Sequence, residues 1–358
     1  MSVYNLLLGV VGAGATAGST TLGVTHATTS PYGTVGVSAY PWGDSTGFGT
    51  KYTEPTGMVG STNGSALCID FNHTNTVVAI GHYSTVTTEM FYAYPWSDST
   101  GFGTKYTNAT APNYPLGVSF NPTSTAISFA HLTTPFISTY PWDNTTGFGT
   151  KYANPATLPG GLGGSVTFSP DGATIVVGFG VSSPYIYAYP WSAGYGTKYA
   201  DPATPPTGNP TTGVSFNPAG TAIVASTVAS PYIQAYPWSA GFGTKYTNPA
   251  TLPAGSASGY SPVKFDSSGT SIAVAHSTTP FVSAYPWSAG FGTKYANPAT
   301  LPAGTGYGLD FSKSGASVAV THATTPFVSA YPWSAGFGTK YANPATLPYF
   351  DGRGVAFN

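Results

Sequence analysis

The 358-residue sequence predicts an all-β fold, a seven-bladed β-propeller with four-stranded blades, and three observations carry that prediction. Tyr-Pro-Trp occurs seven times and contains every tryptophan of the chain: Trp42, Trp96, Trp142, Trp191, Trp238, Trp287 and Trp333. The motif recurs every 46 to 54 residues, a period that marks a repeat architecture rather than two ordinary domains. No stretch shows a 3.6-residue apolar period, and 32 prolines interrupt the chain too often for helices. Each repeat also divides into short apolar runs separated by Gly, Pro, Ser and Thr turns.

The unit from Leu309 to Pro348 shows these divisions in order. Leu309-Asp310-Phe311 alternates as a short strand and enters a turn at Gly315. Ser317 to His322 reads as a second strand. Phe327 to Trp333 reads as a third, after the turn at Pro326. Ser334-Ala335-Gly336 turns again, and Phe337 to Tyr341 is expected to form a fourth, outer strand. A four-stranded blade cannot bury both faces alone, so neighbouring blades must cover them.

Ring closure is readable too. The first strand carries an apolar-x-Phe pattern, at Ile69–Phe71, Val118–Phe120, Val166–Phe168, Val214–Phe216, Val263–Phe265 and Leu309–Phe311. The seventh copy is Val355–Phe357, at the C-terminus, while the first repeat lacks one before Thr21 to His26. The C-terminal strand is therefore expected to complete the blade that the N-terminal strands begin. The predicted division is an apolar docking segment, 1–18, followed by the propeller, 19–358.

Composition narrows the function classes. Charged residues make up only 6% of the chain, against about 25% in ordinary soluble domains. The 26 tyrosines and 20 phenylalanines argue against disorder. A net charge of −1 without a basic stripe speaks against nucleic-acid binding. Cys68 is the only cysteine, so no internal disulfide is expected. The apolar run from Leu6 to Ala15 is short of the roughly 20 residues a membrane-spanning helix needs. No Lys or Arg precedes it, which makes it a poor secretory signal. Leu6, Leu7, Leu8, Val10 and Val11 are instead candidate partner-docking residues, for another copy of the chain or a virion partner.

Phe168-Ser-Pro-Asp-Gly172, with Phe216-Asn-Pro-Ala-Gly220 and Phe120-Asn-Pro, resembles the strand-turn signature of WD-like and YVTN-type propeller repeats. The resemblance covers nearly the whole chain. Trp-Asp itself occurs once, at Trp142-Asp143, and the structural Asp of WD repeats is absent. The recurring Ala-Tyr-Pro-Trp-Ser-Ala-Gly-Phe-Gly-Thr-Lys-Tyr string is similar to propeller proteins encoded by tailed bacteriophages. That resemblance implies a virion surface protein and supplies no catalytic residues.

Several side chains recur at fixed places. Lys51, Lys105, Lys151, Lys198, Lys245, Lys294 and Lys340 form a candidate binding ring for an anionic glycan or acidic partner. The alternative is protection of an edge strand. His26, His82, His131, His276 and His322 end the second strands, with Gly180 and Thr227 in the two remaining blades. One histidine per outward-fanning blade suits turn capping or inter-blade bonding better than a metal site. Asp44, Asp98 and Asp143 make a one-sided acidic arc too sparse for a calcium cage. The seven Tyr-Pro-Trp units are expected to pack between blades.

With no nucleophile motif, metal-ligand cluster or phosphate loop, the sequence predicts neither catalysis nor a cofactor. The leading expectation is a non-enzymatic structural or adhesive propeller on a phage virion, in a decoration or host-attachment role. A glycan-binding surface propeller is the alternative, extracellular or on a cell surface. A lactonase-like hydrolase of the YVTN kind ranks lowest.

Overall fold

The second strand of most repeats is buried at every position, as in Thr21–His26, Ala126–His131, Thr174–Phe179, Ala222–Thr227 and Ser317–His322. A strand with one solvated face would alternate; these do not, because a neighbouring sheet covers each face. Small and β-branched residues such as Val318, Ala319 and Val320 suit that two-sided packing. The computed structural model describes residues 20–27, 36–58, 64–84, 89–109, 114–257, 259 and 261–358. The predicted docking segment, with Leu6, Leu7, Leu8, Val10 and Val11, lies outside the described residues.

The architecture is an all-β propeller of small antiparallel sheets, and the described residues form seven of them. The first strand of each sheet packs beside the first strand of the next, and the series returns from Gly352–Phe357 to Ser65–Phe71. The C-terminal strand pairs antiparallel with Thr21–His26 as expected, with Leu22 opposite Phe357 and Val24 opposite Val355. Asn358 fastens the junction: its Oδ1 accepts from the backbone N–H groups of Thr20 and Thr21, both at 2.9 Å. Its Nδ2 donates to Asp98 Oδ1 at 2.6 Å in the next blade.

The expectation of four strands in every blade is corrected. Three sheets have four strands and four have three. Where the turn is long, as at Asp44–Thr46, a two-residue fourth strand forms, such as Gly47–Phe48. Where it is Ser-Ala-Gly, only one bridge remains, as between Trp333 and Phe337. The proline of Tyr-Pro-Trp also has no N–H to offer an outer strand. The outer segment is held instead at separate points: Gly338 N–H donates to Pro332 O at 2.8 Å and Tyr341 N–H to Ala330 O at 2.9 Å.

The Tyr-Pro-Trp units pack between blades. Trp96 lies edge-on to Phe71 and Phe102 of its own blade and to Tyr52 of the preceding one, with centroids 5.0 to 5.3 Å apart. Aromatic edge contacts of this kind add roughly 0.5–1.5 kcal/mol each beyond area burial. Among the described residues no helix is long and apolar enough to cross a membrane.

Candidate functional site

Among the described residues six of the first strands carry a β-bulge near their start, and Val263–Phe265 pairs without one. The register slips by one residue between Ala66 and Cys68, Pro115 and Gly117, Gly163 and Ser165, Thr211 and Gly213, and Gly306 and Gly308. The C-terminal strand slips between Gly352 and Val355 against Thr21–His26. A bulge leaves one residue out of the ladder and re-aims its side chain. The residues so displaced are Leu67, Leu116, Gly164, Thr212, Tyr307 and Arg353. Five of these six line one cavity of about 540 Å³ at the end of the channel where the first strands begin.

Arg353 is the only arginine in the chain. Its guanidinium carbon lies 4.9 Å from the centre of the Tyr307 ring, the bulge residue of the adjacent blade. Its Nη2 is 3.5 Å from Asp351 Oδ2. Both side chains are partly open to solvent. Arg353 thus brings an ion pair and a cation–π contact to the lining of the cavity. The wall away from Arg353 is apolar and aromatic. It includes Leu132, Val228 and a stacked pair, Tyr83 and Tyr114, with centroids 3.9 Å apart. Leu162 and Val181 stand 41% and 63% exposed there, two of the three large exposed apolar side chains among the described residues.

The cavity lies where the repeats differ. The two blades without a histidine contribute Gly180, Val181 and Val228 to its wall. Val181 has φ of 85°, a left-handed conformation that costs a β-branched residue of order 1–3 kcal/mol. Its N–H donates to Asn209 Oδ1 at 2.9 Å across the blade boundary.

Farther along the same strands, the middle residues of the apolar-x-Phe triplets face the channel. Asp70 and Lys264 line a smaller cavity of about 260 Å³. Burial pushes the Asp70 carboxyl up to about 6 against the Phe120 N–H, which donates to its Oδ2 at 2.8 Å. Burial likewise raises Asp310, which accepts from Phe357 N–H at 2.8 Å. Each carboxylate thus ties its strand to the first strand of the next blade, a structural use that sequence reading missed.

The recurrent candidates fall elsewhere. The seven lysines lie outside the strands, and each Nζ is met by a nearby oxygen. Lys51 meets Glu54 at 2.8 Å, Lys105 meets Glu89 at 3.0 Å, and Lys245 meets Asn248 at 2.7 Å. Lys198 meets Asp201, and Lys151, Lys294 and Lys340 meet Asn154, Asn297 and Asn343. Edge-strand protection is therefore corrected: no lysine of the set sits on a strand. The histidines are buried and bond within their own blades, His131, His276 and His322 each placing Nε2 3.0 Å from Ser138, Ser283 and Ser329. Burial pulls the imidazoles of all five down to about 4.

The acidic arc does not act together. Asp44 accepts from the indole of Trp42 at 2.9 Å and from Ser317 at 2.7 Å. Asp98 accepts from the indole of Trp96 at 2.8 Å and from Thr20, Thr21 and Asn358. Partial burial opposes ionisation of Asp98, but these hydrogen bonds together outweigh it and hold the carboxyl below its ordinary range. Asp143 caps its own turn through Thr145 and Thr146.

No family model and no curated protein matches the sequence. Solved structures do match in shape. A protein from Bacteroides fragilis provisionally named a 6-phosphogluconolactonase aligns with a TM-score of 0.72 at 12% identity, over 95% of this chain and 98% of its own. One from Bacteroides uniformis with the same provisional name aligns at 0.68 and 13%, over 94% and 99%. A Lactobacillus plantarum protein aligns at 0.69 and 14%, over 95% and 99%. At such identities the likeness shows the fold alone.

These neighbours correct two expectations. The non-enzymatic virion reading, with its decoration and host-attachment roles, gains nothing from them. Two of the neighbours carry a provisional lactonase name, which stands against that reading. The exclusion of enzyme chemistry rested on the lack of a local motif. The lining of the channel-mouth cavity is gathered from several blades, an arrangement that no local motif records.

Proposed function

We propose that the chain is a lactonase-like hydrolase, built on a closed ring of seven blades, with its site in the channel-mouth cavity. The observation that carries this reading is the pairing of the only arginine, in the cavity lining, with Asp351, the carboxylate just before the strand that closes the ring. Arg353 is the anchor for an anionic group of the substrate. Asp351 is the base that takes a proton from the attacking water. The water oxygen bonds to the lactone carbonyl carbon, and the ring C–O bond then breaks. The leaving alkoxide recovers a proton, giving the open hydroxy acid. The provisional names of two fold neighbours support the reaction class, and the cavity of about 540 Å³ with Arg353 in its lining supports the site.

The test is hydrolysis of a lactone panel, including 6-phosphogluconolactone, followed by acid release against the uncatalysed rate. Arg353→Met removes a charge-assisted contact worth about 1.5–3 kcal/mol. It should raise KM by roughly ten- to hundredfold. No hydrolysis above background on any lactone would reject the proposal.

A further inference from the structure

The channel has a second end, where the first strands finish. Around it the middle residues of the apolar-x-Phe triplets run Asp70, Ser119, Thr167, Ser215 and Lys264 in five consecutive blades. All five line the cavity of about 260 Å³ at that end. We infer that this cavity binds a small zwitterion of the ω-amino acid kind, its ammonium toward Asp70 and its carboxylate toward Lys264. The inference goes beyond the lactonase reading, since the two cavities share no lining residue.

A structural duty explains the carboxylates but not the lysine. Asp70 and Asp310 each accept a backbone N–H of the next blade through Oδ2. Lys264 stands at the same repeat position and can accept nothing. Burial raises both carboxyls, and the nearby Lys264 charge is one of the effects that draw them back down. Yet among the described residues the Lys264 Nζ makes no ion pair or hydrogen bond. The seven recurrent lysines each meet an oxygen, and Lys313 meets Asn75. A half-buried ammonium without an acceptor is costly unless something in the cavity supplies one.

The lining holds one carboxylate and one ammonium, so a simple anion meets Asp70 and a simple cation meets Lys264. A ligand with both charges satisfies both groups. Three blades separate them, which favours charges held apart by a short chain over an α-amino acid. Ser119, Thr167 and Ser215 fill the interval, each donating a long bond of 3.2 to 3.3 Å to the carbonyl of the following Phe. Their oxygens keep lone pairs for the N–H groups of a ligand. Phe120, Phe168 and Phe216 border the same space and suit the methylenes of the chain. Ser169 is taken up by Asp171 and Thr174 in its own turn. His73 adds no charge at neutral pH, because burial and the Lys313 charge lower its pKa. The volume is below the roughly 300–1,000 Å³ of drug-sized sites, so the ligand is small.

The probe is 4-aminobutyrate, titrated calorimetrically into the intact chain at low ionic strength in an amine-free buffer. Butyrate and butylamine each lack one of its charges, and glycine holds the two charges close together. 4-Aminobutyrate should bind at least about tenfold more tightly than any of the three. Lys264→Met should remove its advantage over butylamine, and Lys264→Arg should keep it. Asp70→Asn should remove its advantage over butyrate. Asn keeps an oxygen for the Phe120 N–H, so this variant should fold, and its melting temperature checks that. No binding of 4-aminobutyrate, equal or tighter binding of any control, or full affinity in Lys264→Met overturns the inference. Arg353→Met and Asp351→Asn should leave the titration unchanged. Lactone hydrolysis can therefore fail while this site stands, and this site can fail while hydrolysis stands.

Discussion

At the outer rim, Trp238, Trp287 and Trp333 sit in the same aromatic cage in successive blades. Each is edge-on to a Tyr of the preceding blade and to two Phe of its own. At the channel mouth the same blades carry Thr212, Ser261 and Tyr307 at the position two residues before apolar-x-Phe, and the closing strand carries Arg353. The rim repeats because every blade boundary poses the same packing problem. The mouth varies because its positions do not share that packing problem: Thr212 and Arg353 line the cavity, whereas Ser261 and Tyr307 do not. The repeated contacts that hold the ring and the varied residues of the mouth thus lie in different parts of the molecule.

The sharpest way to break that separation is to damage the rim. Trp333→Ala removes a buried indole from its cage and should cost about 3–5 kcal/mol. Thermal unfolding should report a large drop in melting temperature. The KM for a hydrolysed lactone at low temperature should be unchanged. A rise in KM equal to that of Arg353→Met would show that rim and mouth are not separate.

A smaller effect should come from pH, through the buried histidines. Their pKa values in the fold, about 4, lie below the ordinary 6.5, so the neutral form is favoured by folding. Their contribution is fully present above pH 6.5 and is lost as pH falls towards 4. Each loses up to about 1.4 kcal/mol per pH unit across that window. Asp70 and Asp310, whose carboxyls are raised by burial, work in the opposite direction and soften the slope. Melting temperature should fall steeply between pH 6 and about 4. His131→Gln, which keeps a polar partner near Ser138, should make that fall shallower. An unchanged slope in the variant would remove the histidines from the account.

Much of the fold was legible because the repeat exposes it. The pairing of Val355 to Phe357 with Leu22 to Val24 followed from counting apolar-x-Phe copies against Tyr-Pro-Trp copies. The fourth strand was overread: Phe337 to Tyr341 has strand-like residues, but a proline neighbour and a tight turn leave it only isolated bonds. The site was hidden for a different reason. A bulge inverts the in-out alternation that strand patterns rely on. Leu67, Leu116 and Arg353 would otherwise read as residues facing the next sheet. The available signal was variability inside a strict repeat. Gly180 and Thr227 break the histidine series, and the only arginine stands at the bulge position of the closing strand. Reading the regular positions as sites pointed to the lysine ring; reading the irregular ones points to the mouth.

The central claim is that Arg353 of the closing strand and Asp351 just before it form a catalytic pair that the fold does not need. It is tested most directly by Asp351→Asn, measured for lactone turnover and for melting temperature in one preparation. The substitution keeps the shape of the side chain and removes the base. The account predicts a fall in kcat of roughly 10²–10⁴ with an unchanged melting temperature. Full kcat in the variant, or a loss explained by unfolding, would contradict it.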